Sequence, residues 1–458
     1  MSELKKTGVF AGVAVVLLIL AFAFSPRRIT PEAFMDQGEL FFPEFKDPNA
    51  AQTLEVIEYD EKSGTARPFK VTFQNGRWTI PSHHDYPADA QDRLAKAAAG
   101  VIVLRKDDFR TNSVADHEAC GVVDPLDMSS PGLKGRGTKF TLKGAGDQVL
   151  ADLIIGKPVP EREGMRFVRK ADENRVYAAK VDLDVSTRFE DWIETNLLKV
   201  DKNKIERVVF DNYSIDERSG SLVAGEKVEL RKENDEWKIS PRPKGREELD
   251  ISKVNQLLRS IEELKIVGVR PKPAGLSASL AQGSGSGQMS QEDRISLQSK
   301  GFYISRRDGQ LLSNEGDIKV YTSDGVVYTM RFGEVLYGTG LEVTAGLSDE
   351  EGQKSAEAQT TNRYLFVTSI FDGSQLKEPP RPASTDFRTK PDSLWTDFDK
   401  ECKETGDKYE EYQRRILSGR SLSNSLNERF AGWYYVISDD SFRKVHVDRK
   451  ELLRDKDA

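Results

Sequence analysis

The side chains best suited to hold a metal ion are those of three histidines and one cysteine. His83 and His84 are adjacent, and His117 precedes Cys120 by three residues. Imidazole nitrogens and thiolate sulfurs are preferred ligands of Zn²⁺ and Cu²⁺, so this set could form a metal site. Adjacent histidines on a strand point to opposite faces, however, and the other pair has only the spacing of a helical turn. We therefore predict polar loop and turn residues here and no metal site.

The residue patterns support a nucleophilic site or a phosphate-binding site even less. Gly283–Gly287 reads GSGSG, in which glycine occupies the central position where a nucleophile elbow requires serine. The P-loop pattern is absent from the sequence. Gly132–Gly137 (GLKGRG) could hold an anion, but a loop before a strand is the simpler interpretation. With four histidines and no inferable general base, we expect no catalytic residue, no cofactor and no enzymatic activity.

The two cysteines, Cys120 and Cys402, are predicted to be free and mostly buried. A disulfide between them is chemically possible outside the cytoplasm, but the two residues lie in different predicted units. So few cysteines exclude a disulfide-rich scaffold and a cysteine-rich zinc domain.

Two hairpins are predicted early in two stretches of the chain. Phe69–Ile80 and Val228–Ile239 each alternate apolar and polar residues around a turn, Asn75-Gly76 or Asn234-Asp235. These turn residues tolerate the positive φ that a tight hairpin needs.

Each hairpin carries one tryptophan after its turn, Trp78 or Trp237. The two rings could be platforms on which a ligand stacks. Their matching positions favour the other interpretation, in which both rings anchor core packing.

A helix follows each hairpin, with Asp89 or Asp250 expected as its N-cap. Apolar residues at spacings of three and four predict amphipathic helices that cover a sheet. These residues are Leu94, Ala97, Ala98 and Val101 in the first helix, and Leu249, Val254, Leu257, Leu258, Ile261 and Leu264 in the second.

Further strand pairs recur in the same order. Lys139–Leu142 precedes Ala151–Gly156, and Ile318–Tyr321 precedes Tyr328–Gly333. Ordered recurrence of this kind indicates an internal repeat, and the hairpins indicate antiparallel sheets. We expect the fold class to be α+β, with an N-terminal transmembrane helix followed by two repeated units. Each unit would be an antiparallel sheet of hairpins with a covering amphipathic helix.

The transmembrane prediction rests on the apolar run Gly8–Phe24, about 25 Å long as a helix and just enough for a bilayer core. Basic residues flank it on both sides, so charge does not set its orientation. A short basic tail before one apolar run is typical of a signal anchor, which would put the bulk of the chain on the periplasmic side of the cell membrane. Ala21-Phe22-Ala23 leaves a cleaved signal peptide open, and a buried core helix is a third interpretation.

The chain from Pro379 onward is predicted to combine an insertion with the end of the second unit. Phe398, Cys402, Tyr409, Tyr412, Ile416 and Leu417 form a helical stripe that is interrupted near Gly406. The stripe could bind a partner helix, but we favour its covering the second sheet. Trp433–Ile437 and Arg443–Val447 would then form a closing hairpin.

These patterns divide the chain into three segments. Residues 1–29 would be a cytoplasmic tail and transmembrane signal anchor, residues 30–200 the first unit and residues 201–458 the second. The second unit would contain a Gly/Ser-rich insertion at about 274–300 and a proline-rich and helical insertion at about 376–430. The chain has 68 basic and 75 acidic residues, and its net charge of -7 argues against a nucleic-acid partner.

The sequence resembles the domain-of-unknown-function family 4340, in tandem copies covering roughly residues 54–370 and the predicted closing hairpin. The resemblance rests on Gly76–Ile80 and Asp235–Ile239, on the helices that follow, and on the turn Gly121-Val122-Val123-Asp124-Pro125. The second stretch keeps only Ala274-Gly275-Leu276 of that turn. The resemblance implies an auxiliary role beside ABC-type export systems, including those linked to gliding motility, and it implies no catalytic residue.

Together, the residues and the resemblance predict a non-catalytic, single-pass membrane-anchored envelope protein. It would act as an interaction scaffold or accessory subunit, with the membrane and either ABC transporter subunits or another envelope protein as partners. The alternative is an extracytoplasmic binding module for an envelope glycan or peptide.

Overall fold

A computed structural model of the protein describes residues 12–18, 35–128, 132–183, 186–216, 221–281, 289–305, 307–338, 340–346 and 360–456. By contacts between Cα atoms the chain divides into two units. The first consists of Met1–Phe69 and Asp92–Val185, and the second of Lys70–Gln91 and Ser186–Ala458. The described residues form two large antiparallel sheets and three small two-stranded sheets.

The first large sheet has the strand order β4-β3-β2-β1-β6-β7-β8-β9-β5. Its strands are β1 Thr53–Asp60, β2 Thr65–Gln74, β3 Arg77–Ile80, β4 Tyr86–Pro87, β5 Asp108–Thr111, β6 Thr138–Lys143, β7 Val149–Pro158, β8 Met165–Lys170 and β9 Val176–Lys180.

The second large sheet has the order β14-β13-β10-β19-β20-β21-β22-β16. Its strands are β10 Ile205–Asp211, β13 Lys227–Glu233, β14 Glu236–Ser240, β16 Gly268–Pro271, β19 Asp317–Thr322, β20 Val326–Gly338, β21 Thr360–Phe371 and β22 Trp433–Ser438. The small sheets pair β11 Ser214–Asp216 with β12 Ser221–Val223, β15 Glu247–Leu249 with β23 Leu453–Asp455, and β17 Phe302–Ile304 with β18 Leu311–Ser313.

The two large sheets share one strand order. With the two-residue strand β4 set aside, the strands of each sheet can be numbered 1 to 8 along the chain. Both sheets then have the order 3-2-1-5-6-7-8-4. The mixed α and β content and the large antiparallel sheets agree with that part of the expected fold class.

The predicted hairpins are confirmed by strand pairing and turn conformation. Thr72 pairs with Thr79 across the first turn, and Leu230 pairs with Ile239 across the second. Both residues of each turn have positive φ: Asn75 53° and Gly76 76°, Asn234 50° and Asp235 64°. This conformation matches the right-handed twist of the two strands, which explains why short polar residues occupy the turns.

The helices are α1 Gln91–Ile102, α2 His117–Cys120, α3 Ile251–Glu262, α4 Ala274–Ala281, α5 Gln291–Gln298, α6 Gly340–Thr344, α7 Asp397–Ala431 and α8 Asp439–Val445. The predicted apolar residues within α1 and α3 are buried. Leu249 lies in β15, and Leu264 is buried but follows the end of α3. Asp250 caps α3 by accepting from the amides of Ser252 and Lys253. Asp89 lies two residues before α1 and does not hold the position directly before it.

The predicted interruption near Gly406 is wrong. Helix α7 runs unbroken for 35 residues, and Gly406 lies buried within it, where a Cβ would be 3.3 Å from the Phe387 ring. Glycine therefore serves close packing in this helix and does not end it. Cys402 is buried as predicted, whereas Phe398 and Leu417 are exposed.

The predicted closing hairpin is also wrong. Trp433–Ser438 is a strand, but the chain then enters α8. The Ser438 hydroxyl accepts from the Ser441 amide, and Asp439 and Asp440 occupy the first turn, a strong start signal for a helix. Strand β22 pairs instead with β21 and β16.

The expected N-terminal transmembrane helix is contradicted. Among the residues that the structure describes, no helix is both long and apolar enough to cross a membrane. Of Gly8–Phe24, residues 12–18 are described and helical, and the others lie outside the described residues. The described part of this run is seven residues long, whereas a crossing takes about 20.

The predicted Gly/Ser-rich insertion is described only at its flanks. Helices α4 and α5 occupy most of the described part of residues 274–300. Gly283–Gly287 itself lies outside the described residues.

Candidate functional site

The two adjacent histidines of the second unit are held by separate hydrogen bonds. The buried His83 stacks on Phe189 at 4.3 Å and contacts the Thr344 hydroxyl through Nε2 at 2.9 Å. His84 Nε2 donates to the Ala345 carbonyl at 2.7 Å. Burial, assisted by the charges of His84 and Arg270, lowers the pKa of His83 to about 4. His83 is therefore a neutral packing residue at neutral pH.

His117 and Cys120 both lie on α2 of the first unit. His117 is buried and Nε2 donates to the Asn174 carbonyl at 2.9 Å. Cys120 is buried and free, and burial raises the pKa of its thiol. A neutral buried thiol is a poor nucleophile and a poor metal ligand.

No other candidate metal site is present in the described part of the chain. No group of three or more His, Cys, Asp or Glu side chains there is arranged to hold an ion. The fourth histidine, His446, donates from Nε2 to the Glu315 carbonyl at 2.9 Å.

The glycine-rich loop of residues 132–137 is bound to the protein itself. The Gly135 amide donates to the Glu61 carboxylate at 3.0 Å. Arg136 donates to the carbonyls of Asp124, Pro125 and Asp127. An internal carboxylate thus takes the place that an external anion could have taken.

Neither predicted tryptophan anchor is fully buried. Trp78 and Trp237 are both half-buried near their hairpin turns, and Trp78 packs on Phe73 with ring centroids 5.2 Å apart. Both rings keep part of their surface exposed, so the expectation of two buried core anchors is wrong.

The second sheet has a cleft that motif analysis did not find. It has a volume of about 810 Å³ and lies on one face of β19, β20 and β21, beside α7. Its floor comprises Asp317, Lys319 and Tyr321 of β19, Val327, Thr329 and Arg331 of β20, and Phe366, Thr368 and Ile370 of β21.

Strand register assembles this floor. Lys319 pairs with Thr329, and Thr329 pairs with Thr368, so these three side chains lie side by side across the sheet. The intervening residues of the same strands, such as Val320, Met330 and Val367, are fully buried. Alternation therefore gives one apolar face to the core and one mixed face to the cleft.

A buried ion pair lies in the floor. Arg331 Nε is 3.5 Å from Asp317 Oδ2, and the Tyr213 hydroxyl donates to Asp317 Oδ1 at 2.6 Å. Arg331 also donates to the Leu311 carbonyl at 2.9 Å and to the Thr368 hydroxyl at 3.3 Å. Burial raises the pKa of Asp317, which the positive charge of Arg331 opposes. These contacts hold both charged groups in place.

Two other cations of the cleft form no close ion pair with the described residues. Among the described residues, neither Lys319 nor Arg420 has a carboxylate within ion-pair distance. Lys319 is half-buried at the centre of the floor, and Arg420 lies over the Phe371 ring at 5.6 Å. Asp308 and Asp372 also line the cleft, so its three cations face three carboxylates, and the charge of Lys319 opposes the raised pKa of Asp317.

The wall formed by α7 is attached to the sheet by an amide side chain. Asn427 Oδ1 accepts from the Ser369 amide at 3.0 Å, and Asn427 Nδ2 donates to the Ser369 carbonyl at 2.7 Å. These bonds satisfy the edge of β21 where β22 no longer pairs with it. Helix α7 is therefore attached to β21 at the point where the pairing of β21 with β22 has ended.

The other end of the cleft is apolar. Leu276, Leu297 and Phe366 line it and belong to a buried cluster with Phe302 and Tyr434. Behind Phe366 lies the buried Lys272, whose Nζ is 3.8 Å from the ring and donates to the Phe430 carbonyl at 2.9 Å. Burial lowers the pKa of Lys272 well below its usual value.

In the first sheet, the strand at the same position in the order, β6, carries a lysine with two acidic partners. On β6, Lys139 Nζ is 3.0 Å from Asp124 Oδ2 and 3.9 Å from Asp152 Oδ2. Asp124 belongs to the Gly-x-x-Asp-Pro turn, and this acidic residue has no counterpart after Gly275. Lys139 on the first sheet thus forms ion pairs, whereas Lys319 on the second acts on Asp317 from beyond ion-pair distance.

The sequence contained one signal of the cleft. Asp317, Lys319 and Tyr321 alternate with apolar residues, as do Thr329 and Arg331 on the next strand. Such alternation marks a sheet face that is not closed by an apolar layer. It does not indicate which strands pair or what lies above them.

Comparison with known proteins finds a family match for part of the chain and indicates no activity. No curated protein and no solved structure matches the chain. One continuous stretch, residues 78–279, matches the model of a family described as a domain of unknown function. The match begins at Trp78 in the first hairpin and ends within α4 of the second unit. The protein therefore contains a DUF4340 domain that spans residues 78–279.

Proposed function

We propose that the protein is a non-catalytic binding protein whose second unit holds a segment of a peptide or glycan in the cleft. The observation that carries the proposal is a floor of hydrogen-bonding and charged side chains beside an apolar end, within about 810 Å³. Binding sites for small ligands have this combination and volumes of roughly 300–1,000 Å³.

The side chains near the cleft support binding rather than catalysis. Asp317, its one buried carboxylate, is engaged by Tyr213 and Arg331. The four histidines are each engaged in a hydrogen bond elsewhere, at His83, His84, His117 and His446. A general base must be able to reach a substrate proton, and none of these groups does so in the described structure.

The test is ligand-induced stabilisation of the full chain. Panels of peptides and glycans are screened by thermal shift, since a ligand that binds only the folded state raises Tm. Thr368→Phe fills the floor and should abolish the shift. Thr361→Phe, at a half-buried threonine of the same strand outside the cleft, should preserve it. Absence of any ligand, or equal effects of both variants, contradicts the proposal.

We also propose that the two sheets are tandem copies of one unit of the matched family. Their common strand order supports this. So do two similar apolar clusters, one with Val122 after Gly121 and one with Leu276 after Gly275. An experimental structure in which equivalent strands of the two sheets fail to superpose would contradict a duplication.

A second candidate function is an interaction scaffold, as an accessory subunit of an ABC-type transport system. One observation favours a scaffold: Tyr409, Tyr412 and Ile416 of α7 stay half-exposed, and Leu417 is 65% exposed. Affinity purification of the full chain should recover transporter subunits, and Ile416→Glu with Leu417→Glu should lose them. Reproducible recovery of no transporter component would exclude this role.

A further inference from the structure

We propose that the ligand of the cleft is a neutral glycan, held by hydrogen bonds to its hydroxyl groups. The proposal rests on the proposed binding function and names the ligand class. It is supported by polar side chains that line the cleft and form no hydrogen bond or close ion pair among the described residues. They belong to Gln310, Lys319, Tyr321, Thr329, Arg420 and Asn424.

The charges that line the cleft are balanced. Three cations are matched by three carboxylates: Lys319, Arg331 and Arg420, and Asp308, Asp317 and Asp372. A ligand with a net charge would meet as many repelling groups as attracting ones, so charge gives it no advantage over a neutral ligand. The cleft therefore favours a ligand that forms hydrogen bonds and carries no net charge.

The most informative single group is the Thr329 hydroxyl. Thr329 is 8% exposed, lies on the central strand of the floor and forms no side-chain hydrogen bond among the described residues. A buried polar group without a partner is costly, and such groups are normally satisfied. A ligand that offers a hydrogen-bonding atom at the floor would satisfy this hydroxyl, whereas an apolar ligand would not.

Side chains on β19 extend the polar surface around Thr329. Lys319 is its cross-strand partner, about 5 Å away, and Tyr321 follows Lys319 on the same face by about 7 Å. Both side chains are half-buried. The ammonium donates, and the two hydroxyls can each donate or accept. Sugar hydroxyls also do both, so neighbouring hydroxyls of one ring can bond to neighbouring groups of the floor.

Helix α7 adds polar groups from the side of the cleft. Arg420 and Asn424 are four residues apart, so they lie on one face of the helix, and both are exposed. The Asn424 amide can donate and accept, and the Arg420 guanidinium donates through several N–H groups. A sugar ring on the floor can therefore be bonded from the wall as well.

The backbone of the floor is unsuited to an extended peptide. Such peptides commonly add to the free edge of a sheet. Strand β19 pairs with β10 and β20, β20 pairs with β19 and β21, and the Ser369 backbone on β21 is bound by Asn427. A glycan needs no strand edge, because its hydroxyl groups bond to side chains.

The apolar residues at the end of the cleft are also unsuited to a peptide. Leu276 and Leu297 are each 1% exposed, and Phe366 is fully buried. A peptide side chain gains little from contact with groups that expose almost no surface. The polar groups therefore supply the specificity, and a neutral glycan, which carries several hydroxyl groups on each ring, is the better match.

The experiment measures binding of short oligosaccharides to the full chain by isothermal titration calorimetry. The neutral probes are built from glucose, mannose or N-acetylglucosamine, and matched probes carry a uronic acid or a free amino sugar in place of one unit. Blocked peptides form a third arm. We expect a neutral oligosaccharide to bind and its charged counterparts to bind no more tightly. Its affinity should stay constant between about 0.05 and 0.5 M salt, since no net charge is screened.

Variants locate the site. Thr329→Val removes a hydroxyl that has no partner among the described residues, so it should weaken glycan binding about fivefold without lowering the free energy of unfolding. Asn424→Ala should weaken binding by a similar factor, and its exposed position keeps it informative if Thr329→Val is unstable. Thr361→Val and Ser425→Ala are matched controls outside the cleft and should leave the affinity unchanged.

The outcomes separate this inference from the proposed function. Binding of peptides alone that is lost in Thr368→Phe would overturn the glycan inference and keep the binding function. A preference for charged oligosaccharides, or glycan binding that neither Thr329→Val nor Asn424→Ala weakens, would also overturn the inference. Absence of peptide and glycan binding would overturn both.

Discussion

His83 was a candidate metal ligand by residue type, and its surroundings give it a structural role. Its ring stacks on Phe189 at an interplanar angle of 4° and is 2% exposed. Protonation in that position would bury a positive charge near those of His84 and Arg270, which explains the lowered pKa.

The pH dependence of stability follows from this shift. The pKa of His83 falls from 6.5 to about 4 on folding, so the unfolded chain binds the proton more tightly. The stabilisation is complete above pH 6.5 and is lost as the pH falls towards 4, by about 3 kcal/mol. Urea unfolding at pH 7, 5.5 and 4 should show the advantage of the native chain over His83→Gln shrinking by that amount.

A control separates this titration from general acid destabilisation. Phe387→Leu removes apolar contacts near Gly406 and Trp395 and no titrating group. Its unfolding free energy should run parallel to that of the native chain across the same pH range. A constant difference between the native chain and His83→Gln would show that the histidine does not titrate as described.

The two thiols give a second prediction at this scale. Cys120 and Cys402 are free and buried, as the sequence predicted, at 3% and 4% exposure. Ellman's reagent should therefore react with neither thiol in the native protein and with both in 6 M guanidinium. Rapid reaction of one thiol without denaturant would mean that its surroundings open readily.

Among the elements, α7 packs against a neighbouring turn through the glycine Gly419. A Cβ at Gly419 would collide with the Asp324 carbonyl oxygen and would lie 2.6 Å from the Phe371 ring. Asp324 lies in the turn between β19 and β20, where Arg415 also donates to the Ser323 carbonyl at 2.6 Å. Gly419 thus lets the helix approach the end of the cleft.

Replacement of Gly419 by alanine should improve helix propensity and worsen packing. Alanine in a helix is ordinarily more favourable than glycine by about 1 kcal/mol. Gly419→Ala should nevertheless destabilise the protein by about 1–3 kcal/mol, because the backbone of Asp324 must move. Urea unfolding measures the change.

Gly406→Ala is the matched control in the same helix. Its nearest neighbour would be the tip of the Phe387 ring at 3.3 Å, which a side-chain rotation can relieve. We expect this variant to be close to neutral. Equal destabilisation by both substitutions would indicate that the helix, and not its contact with the turn, is at fault.

For the whole molecule, the second unit is discontinuous in sequence. It includes Lys70–Gln91 as well as Ser186–Ala458. In the earlier segment, His83 contacts Phe189 and Thr344, and the Tyr86 ring lies 4.9 Å from that of Trp433. The buried surroundings of these rings therefore depend on residues far away in the chain.

A fragment of residues 186–458 should accordingly fold less stably than the same unit in the full chain. Without Lys70–Gln91, Phe189 and Trp433 lose apolar contacts, and a hydrophobic dye should bind more strongly. A synthetic peptide of residues 70–91, added in trans, should reduce dye binding and blue-shift tryptophan fluorescence. A peptide with His83→Ala and Tyr86→Ala should not, and full stability without any peptide would contradict the expectation.

Short stretches of sequence were enough to predict the local elements. The turn residues Asn75-Gly76 and Asn234-Asp235, the stripe of α3 and the N-cap Asp250 act over a few residues, so propensity and periodicity suffice to identify them. The same local rules overlooked α8, although Ser438 and the two aspartates after it carried the signal.

Tertiary structure decided the cleft and the course of α7. Lys319, Thr329 and Thr368 meet only because three strands pair in one register, across almost fifty residues of chain. Helix α7 continues through Gly406 although glycine is a weak helix former, and it attaches to β21 through Asn427. Pairing and packing between distant segments depend on the energy of the whole fold, which no local pattern of residue types contains.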